Sequence, residues 1–228
     1  MKVLVIAAHP DDEILGCGGT IANHVKKKHK VNVCILGEGI TSRSKKRDIN
    51  INKKQLENLH NVSKKANKLL GVKNIKLLKL PDNRFDSLNL LDVIKYIENE
   101  INLFKPNIIY THSAFDLNID HKITADAVVT ACRPQFKKFL KKIICFEIPS
   151  SSEWENNQKN HFKPNFYEEI SGTINKKLKA LKIYKQEMRR WPHPRSIKGV
   201  GILAKYRGSQ VGVNAAEAFY IIREINFE

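Results

Sequence analysis

The densest chemistry in this 228-residue chain lies near its start, in His9-Pro10-Asp11-Asp12-Glu13. An imidazole and three carboxylates crowded together make a rich set of metal ligands. His9 and Asp12 are three positions apart, so a tight turn can aim both at one ion while Asp11 points elsewhere. Mixed nitrogen and oxygen donors suit a borderline cation such as Zn2+. The plainer alternative is a proline turn in which an Asp caps a helix and Gly16-Cys17-Gly18-Gly19 permits close helix packing. A second polar cluster runs from His112 through Asp116, Asn118 and Asp120 to His121. Its plainer alternative has Asp120 capping a helix that begins at Lys122, with His121 on the surface.

The two clusters can share an ion only if the elements before them bring them to one rim. Residues 3–8 are a continuous apolar run, the pattern of a strand buried on both faces. A helical segment follows Gly18-Gly19, and residues 31–36 read as a second strand. Residues 52–70 have helical apolar spacing and stop at Gly71. Strand 75–80, helix 88–104, strand 108–112, helix 122–132 and strand 143–148 follow. This alternation predicts an α/β, Rossmann-like, mostly parallel sheet with helices on both faces. Both clusters then lie at the carboxyl ends of strands, where such sheets bind ligands. The second half is less regular. Residues 150–166, with Asn156 and Asn157, read as a long loop, 173–190 and 198–208 as helices, and 218–225 as a closing strand. No repeat or linker divides the chain, so one domain is expected over residues 1–228.

Composition narrows the function classes. Hydrophobic residues make up 42% and charged residues 28%, a globular balance. No apolar run is long enough to span a bilayer, no signal-peptide pattern opens the chain, and Cys17, Cys34, Cys132 and Cys145 form no CxxC. A soluble cytoplasmic protein is expected. The net charge of +17 raises the alternative of a basic nucleic-acid-binding protein. Lysines supply 31 of the 40 basic residues, scattered in short groups (26–28, 45–47, 137–142, 176–182), and Asn reaches 21. That reads as compositional bias on a solvated surface. No zinc finger, RNP aromatic pattern or basic zipper supports nucleic acid as a partner. A dinucleotide site is also disfavoured: the glycine run does not match G-x-G-x-x-G, and the acidic cluster before it would repel a pyrophosphate.

Taken together, the two clusters resemble those of the LmbE-like, or PIG-L type, zinc-dependent N-deacetylases. The likeness continues through Leu80-Pro81-Asp82-Asn83-Arg84, Tyr110-Thr111-His112, Arg133-Pro134, Ser150-Ser151-Ser152-Glu153-Trp154, Pro192-His193-Pro194-Arg195-Ser196 and Ala215-Ala216-Glu217-Ala218-Phe219. The resemblance implies that His9, Asp12 and His121 bind zinc and that Asp11 is the general base. Three protein ligands leave a catalytic zinc one open position for water, and an adjacent carboxylate can accept that water's proton. The implied reaction removes an N-acetyl group from a sugar, nucleotide-sugar or glycan precursor of surface-polysaccharide metabolism. Fe2+ or Co2+ could occupy the same ligands, and family members often oligomerise.

One departure matters. Many members carry His-Pro-Asp-His as the second motif, whereas here Asn118-Ile119-Asp120-His121 stands in its place. Asn118 can donate a hydrogen bond but cannot deliver a proton. Either another group is the acid, with His112 and His193 as candidates and Asp116 behind them, or Asp11 returns the proton itself. Arg84 and Arg195 are candidates for a phosphate or carboxylate on an anionic substrate, or for ion pairs with surface acids. Trp154 could stack on a sugar ring or cover a core edge; Asp116 and Asn118 complete the substrate-binding candidates. Glu13 is expected to orient a ligand or to favour a helix N-terminus, and Glu217 to be buried against an Arg.

Overall fold

Each apolar side chain of the first strand faces a core. The computed structural model of the protein describes residues 1–43, 47–135, 138–155 and 161–228. In strand β1, Lys2–Ala7, every residue after Lys2 is buried. Val3, Val5 and Ala7 enter one core, and Leu4 and Ile6 the other, the period of two that a strand imposes. The remaining parallel strands are β2 (Lys30–Gly37), β3 (Asn74–Leu80), β4 (Ile108–His112) and β5 (Lys142–Phe146). Two further strands, β6 (Phe166–Glu169) and β7 (Ala216–Glu224), complete one sheet in the order β3-β2-β1-β4-β5-β7-β6. Strand β7 runs antiparallel to both β5 and β6.

Helices α1 (Asp12–Lys26), α2 (Lys53–Leu70) and α5 (Ile174–Ile183) pack on one face. Helices α3 (Leu90–Phe104) and α4 (Ile119–Ala131) pack on the other, and α6 (Ile197–Ser209) lies against β7. The chain moves outward from β1 through β2 to β3, then returns to place β4 on the other side of β1. That reversal opens a crevice at the carboxyl ends of β1 and β4, where both polar clusters stand.

The mostly parallel sheet with helices on both faces is as expected; several boundaries differ. Helix α1 starts inside the acidic motif, not after the glycines, and is broken at Cys17 (φ −143°, ψ 25°). The break frees backbone groups that a buried ion pair satisfies. Glu217 accepts from the N–H groups of Gly19 (2.9 Å) and Thr20 (2.7 Å). Lys177 donates to the Leu15 carbonyl (2.7 Å) and pairs with Glu217 at 2.6 Å. The partner of Glu217 is thus a lysine, not the expected arginine. Helix α4 begins at Ile119, with Asn118 as its cap accepting from the Asp120 N–H at 2.8 Å. Asp120 is therefore not the cap.

The expected loop 150–166 holds a short 3-10 turn, Ser152–Trp154, and leads into β6, which alternation alone did not reveal. Asn156 and Asn157 of that loop, and Lys45, Lys46 and Lys137 of the basic groups, lie outside the described residues. Helix α5 stops at Ile183 because Tyr184 turns its ring into the core. All four cysteines are buried. Among the described residues no helix is long and apolar enough to cross a membrane.

Lys177→Met leaves the buried Glu217 carboxylate without its cation. The expected loss is about 3–5 kcal/mol of stability, read as a lowered urea midpoint; an unchanged midpoint would mean that the pair does not support the broken helix.

Candidate active site

The acidic motif begins where β1 ends, and the end of β2 presses against it. The Gly37 N–H donates to the Ala8 carbonyl at 2.7 Å, and a Cβ at Gly37 would lie 2.8 Å from that oxygen. The next turn forces Asp11 into the left-handed region (φ 112°), costly for a residue with a side chain. Glu13 holds it there. Its Oε2 accepts from the Asp11 N–H at 3.0 Å, while Oε1 accepts from Asn67 (2.7 Å) and the Tyr184 hydroxyl (2.9 Å). Burial pushes the Glu13 carboxyl up to about 7, against the opposing pull of these hydrogen bonds. The result separates two neighbouring carboxylates. Asp12 turns toward imidazoles, and Asp11 turns toward Arg195, whose Nη1 lies 3.5 Å from its Oδ2.

His9, Asp12 and His121 converge, with one ligand atom from each within 4.8 Å of the others. Asp12 Oδ2 lies 3.2 Å from His9 Nδ1 and 3.1 Å from His121 Nε2. The far nitrogen of each imidazole is held by a carboxylate. His9 Nε2 is 2.9 Å from Asp120 and 3.5 Å from Asp82; His121 Nδ1 is 3.0 Å from Asp116. Asp116 is itself fixed by the hydroxyls of Ser151 and Ser152, the latter at 2.6 Å. Two histidines oriented from behind by buried carboxylates, beside a third anionic donor, fit a divalent cation. A second group, His9 with Asp82 and Asp120, shares the same imidazole; these two acids fix the ring's tautomer and orientation.

The electrostatics favour positive charge at this point. Burial pushes Asp12 up, but His121, His9 and His112 outweigh it and hold Asp12 well below the carboxylate range. Burial pushes His121 down, and Asp12 and Asp116 on either side raise it to about 9. Asp11 lacks such company: burial drives its proton affinity well up, with Arg195 in opposition.

A cleft of about 200 Å³ opens over these groups. Arg195 lines it and also donates to the Ser150 hydroxyl at 3.2 Å. Asn118 lines it too, donating to Asn83 at 2.8 Å. Other expected residues stand elsewhere. Asp116 is 1% exposed and fully engaged with His121 and the serines, so it holds the His121 ring and is not presented to the cleft. His112 is 0% exposed. Its Nε2 accepts from the Ala8 N–H at 2.8 Å and its ring stacks on His121 at 4.0 Å. Burial pushes its pKa well below the usual histidine value, so it is a wall behind His121 and no proton donor to the cleft. His193 accepts from the Arg195 N–H through Nδ1 at 3.1 Å and meets Trp154 edge-on at 5.7 Å. Neither His193, Trp154 nor Arg84 lines the cleft. Of the two arginines offered as candidates for an anion, Arg195 lines the cleft but is engaged with Asp11 and Ser150, and Arg84 is not among the lining residues.

Sequence reasoning missed Asp82, Asp120, Arg43 and Glu187 as site residues. Asp82 and Asp120 sit inside strings already singled out, so position within the motif was their signal; Arg43 and Glu187 carried none. A larger groove of about 640 Å³, at the amino-terminal ends of β2 and β3, has Lys64, Lys68, Lys73 and Lys76 on its walls but none of the ligating cluster.

Comparison with known proteins places this geometry in context. The family described as GlcNAc-PI de-N-acetylase (PIG-L) matches residues 4–132. The uncharacterized deacetylase YaiS of Escherichia coli strain K12 is 29% identical over 189 residues, covering 80% of this chain and 90% of its own. The N,N'-diacetylchitobiose deacetylase of Pyrococcus horikoshii superposes with a TM-score of 0.77 at 20% identity, over 97% of this chain and 84% of that one. The 4-carboxy-2-hydroxymuconate hydratase of Pseudomonas putida KT2440 superposes equally well, at 0.77 and 17% identity, over 100% and 98%. These two likenesses establish the fold; a hydratase among them means the reaction must be argued from the site.

Asp116→Asn and Asp120→Asn each remove a carboxylate from behind a donor histidine. Each is expected to weaken divalent-cation binding about 10- to 100-fold in a chelator-competition titration. Wild-type affinity in both variants would refute the orienting role.

Proposed function

The chain belongs to the GlcNAc-PI de-N-acetylase (PIG-L) family, and from that premise we propose that it is a metal-dependent hydrolase removing the N-acetyl group from an amino-sugar derivative. One observation carries the reading: three donors converge while the adjacent Asp11 carboxylate is turned away from them, beside the same cleft. We assign the substrate to the sugars, nucleotide-sugars and glycan precursors. The chitobiose deacetylase with the same fold is named for such a substrate. Zn2+ is the cation assigned to His9, Asp12 and His121, and Fe2+ and Co2+ suit the same ligands.

A divalent cation held there supplies Lewis acidity, lowering the pKa of a water and polarising the amide carbonyl. Asp11 does the proton work. Burial raises its affinity for a proton, and Arg195 holds its carboxylate in place. It accepts the water's proton as the oxygen attacks the carbonyl carbon. The C–N bond then breaks, and the nitrogen needs a proton to leave as an amine. Asn118 has no proton to give. His112 is sealed behind His121, and His193 stands outside the cleft lining. Asp11 therefore returns the proton that it took. Water and amide enter; acetate and a free amine leave.

A screen of free and nucleotide-activated N-acyl sugars, read by released amine, tests this. Asp11→Asn is expected to keep its cation and lose about 10²- to 10⁴-fold in kcat. Chelation should abolish turnover, and added Zn2+ should restore it. No amine from any sugar by the metal-loaded protein, or full activity in Asp11→Asn, would end the proposal.

A further inference from the structure

Among the described residues that line the cleft, one buried polar atom has no hydrogen-bond partner, Oε1 of Glu187. The other acids there are served. Both oxygens of Asp82 accept hydrogen bonds, one of them also facing His9, Asp12 faces both histidines, and Asp11 faces Arg195. Glu187 follows α5 in a turn that its own N–H closes on the Tyr184 carbonyl at 2.9 Å. Its side chain is 8% exposed, and Oε2 is fixed by the guanidinium of Arg43. The carboxylate is thus anchored on one oxygen, while the other is buried and unpartnered. A buried acceptor without a donor costs free energy, and such atoms are rare enough to call for a reason.

We infer that Glu187 reads a hydroxyl group of the substrate: its free oxygen accepts a hydrogen bond from an O–H near the N-acetyl group on a sugar ring. This rests on the deacetylase reading and narrows it. A carboxylate only accepts, so the group it meets must be a donor. Arg43 keeps it oriented, and a hydroxyl held by a carboxylate makes a short, charge-assisted bond. A ring with hydroxyls around its acetamido group supplies that donor; an N-acetylated alkylamine or aliphatic amino acid has no hydroxyl to offer. Substrates lacking the hydroxyl leave Glu187 buried and unpaired, which is how hydrogen-bonding sites reject them.

The test measures kcat/KM of the metal-loaded enzyme for N-acetylglucosamine and its 3-deoxy, 4-deoxy and 6-deoxy analogues, in wild type, Glu187→Ala and Glu187→Gln. In wild type one analogue is expected to fall about 10- to 100-fold below the parent sugar. In Glu187→Ala the parent should fall to the level of that analogue, so its penalty disappears while the other ratios stay. Glu187→Gln keeps a carbonyl acceptor and should recover part of the difference. A uniform loss on all four sugars, or no loss, would overturn the inference in favour of a structural role. If wild type hydrolyses no N-acetyl sugar, the deacetylase reading fails by itself. Calorimetric binding of the same sugars to Asp11→Asn, with and without Glu187→Ala, then decides the inference. Discrimination against one deoxy sugar that vanishes with Glu187 upholds it, and equal binding or no binding overturns it.

Discussion

Two carboxylates adjacent in sequence must face different ways, and the site depends on the contact that lets them. Asp11 and Asp12 would ordinarily share an environment. The left-handed backbone at Asp11 parts them, and a buried carboxylate two residues on pins that backbone by its N–H. Glu13 can do this only because α2 and the end of α5 meet behind it, supplying Asn67 and Tyr184. The packing of helices on one face of the sheet is thereby tied to the orientation of the single Asp11 carboxylate. The strain at Asp11 is local, and the restraint is spread over three elements.

The opposite face supplies the other half. His121 enters from the first turn of α4, held by Asp116 and through it by the serines of the 3-10 turn; His9 is held by Asp120 from that same first turn and by Asp82 from the end of β3. His9, at the end of β1, is gripped from two other strand-to-helix connections, whereas His121 is gripped from within its own. The topological reversal between β1 and β4 is what gathers them. A sheet wound in one direction only would put β2 and β3 between β1 and β4, leaving His9 and His121 far apart along the same rim.

How much of this is legible in the sequence follows from the range of each interaction. His9, Asp12 and His121 are legible because their residue types cluster at strand ends, and the parallel sheet follows from apolar periodicity. Asp120 is harder. Local propensity reads it as a helix cap, but α4 starts three residues earlier than its apolar pattern suggests, with Asn118 as the cap, which sends Asp120 inward to His9. Glu187 is invisible because the helical reading of residues 173–190 runs through it; the helix ends at Ile183, where the Tyr184 ring is buried, a tertiary event, and Glu187 comes to line the cleft. The broken α1 is likewise a tertiary fact: no local pattern announces that Lys177 and Glu217 will patch it.

Charge, the loudest feature of the composition, works differently from its global value. The chain carries +17, yet the cleft is lined by four carboxylates (Asp11, Asp12, Asp82 and Glu187) against two guanidiniums (Arg43 and Arg195). With neutral histidines that balance is matched by one divalent cation. Each guanidinium is already spent on a carboxylate, Arg43 on Glu187 and Arg195 on Asp11. A metal-loaded cleft is therefore close to neutral, and its polar walls suit a hydroxylated, uncharged ring better than a phosphate seated beside Asp11. An anionic carrier group would have to project out of the cleft, where the basic surface could still speed its approach. The four-lysine groove is no substitute: it lies at the amino-terminal ends of the strands, across the sheet from the donors. On the proposed deacetylase reading, a ring and its carrier would thus be recognised by different physics, short hydrogen bonds inside and long-range field outside, and only the first can set which bond is cut.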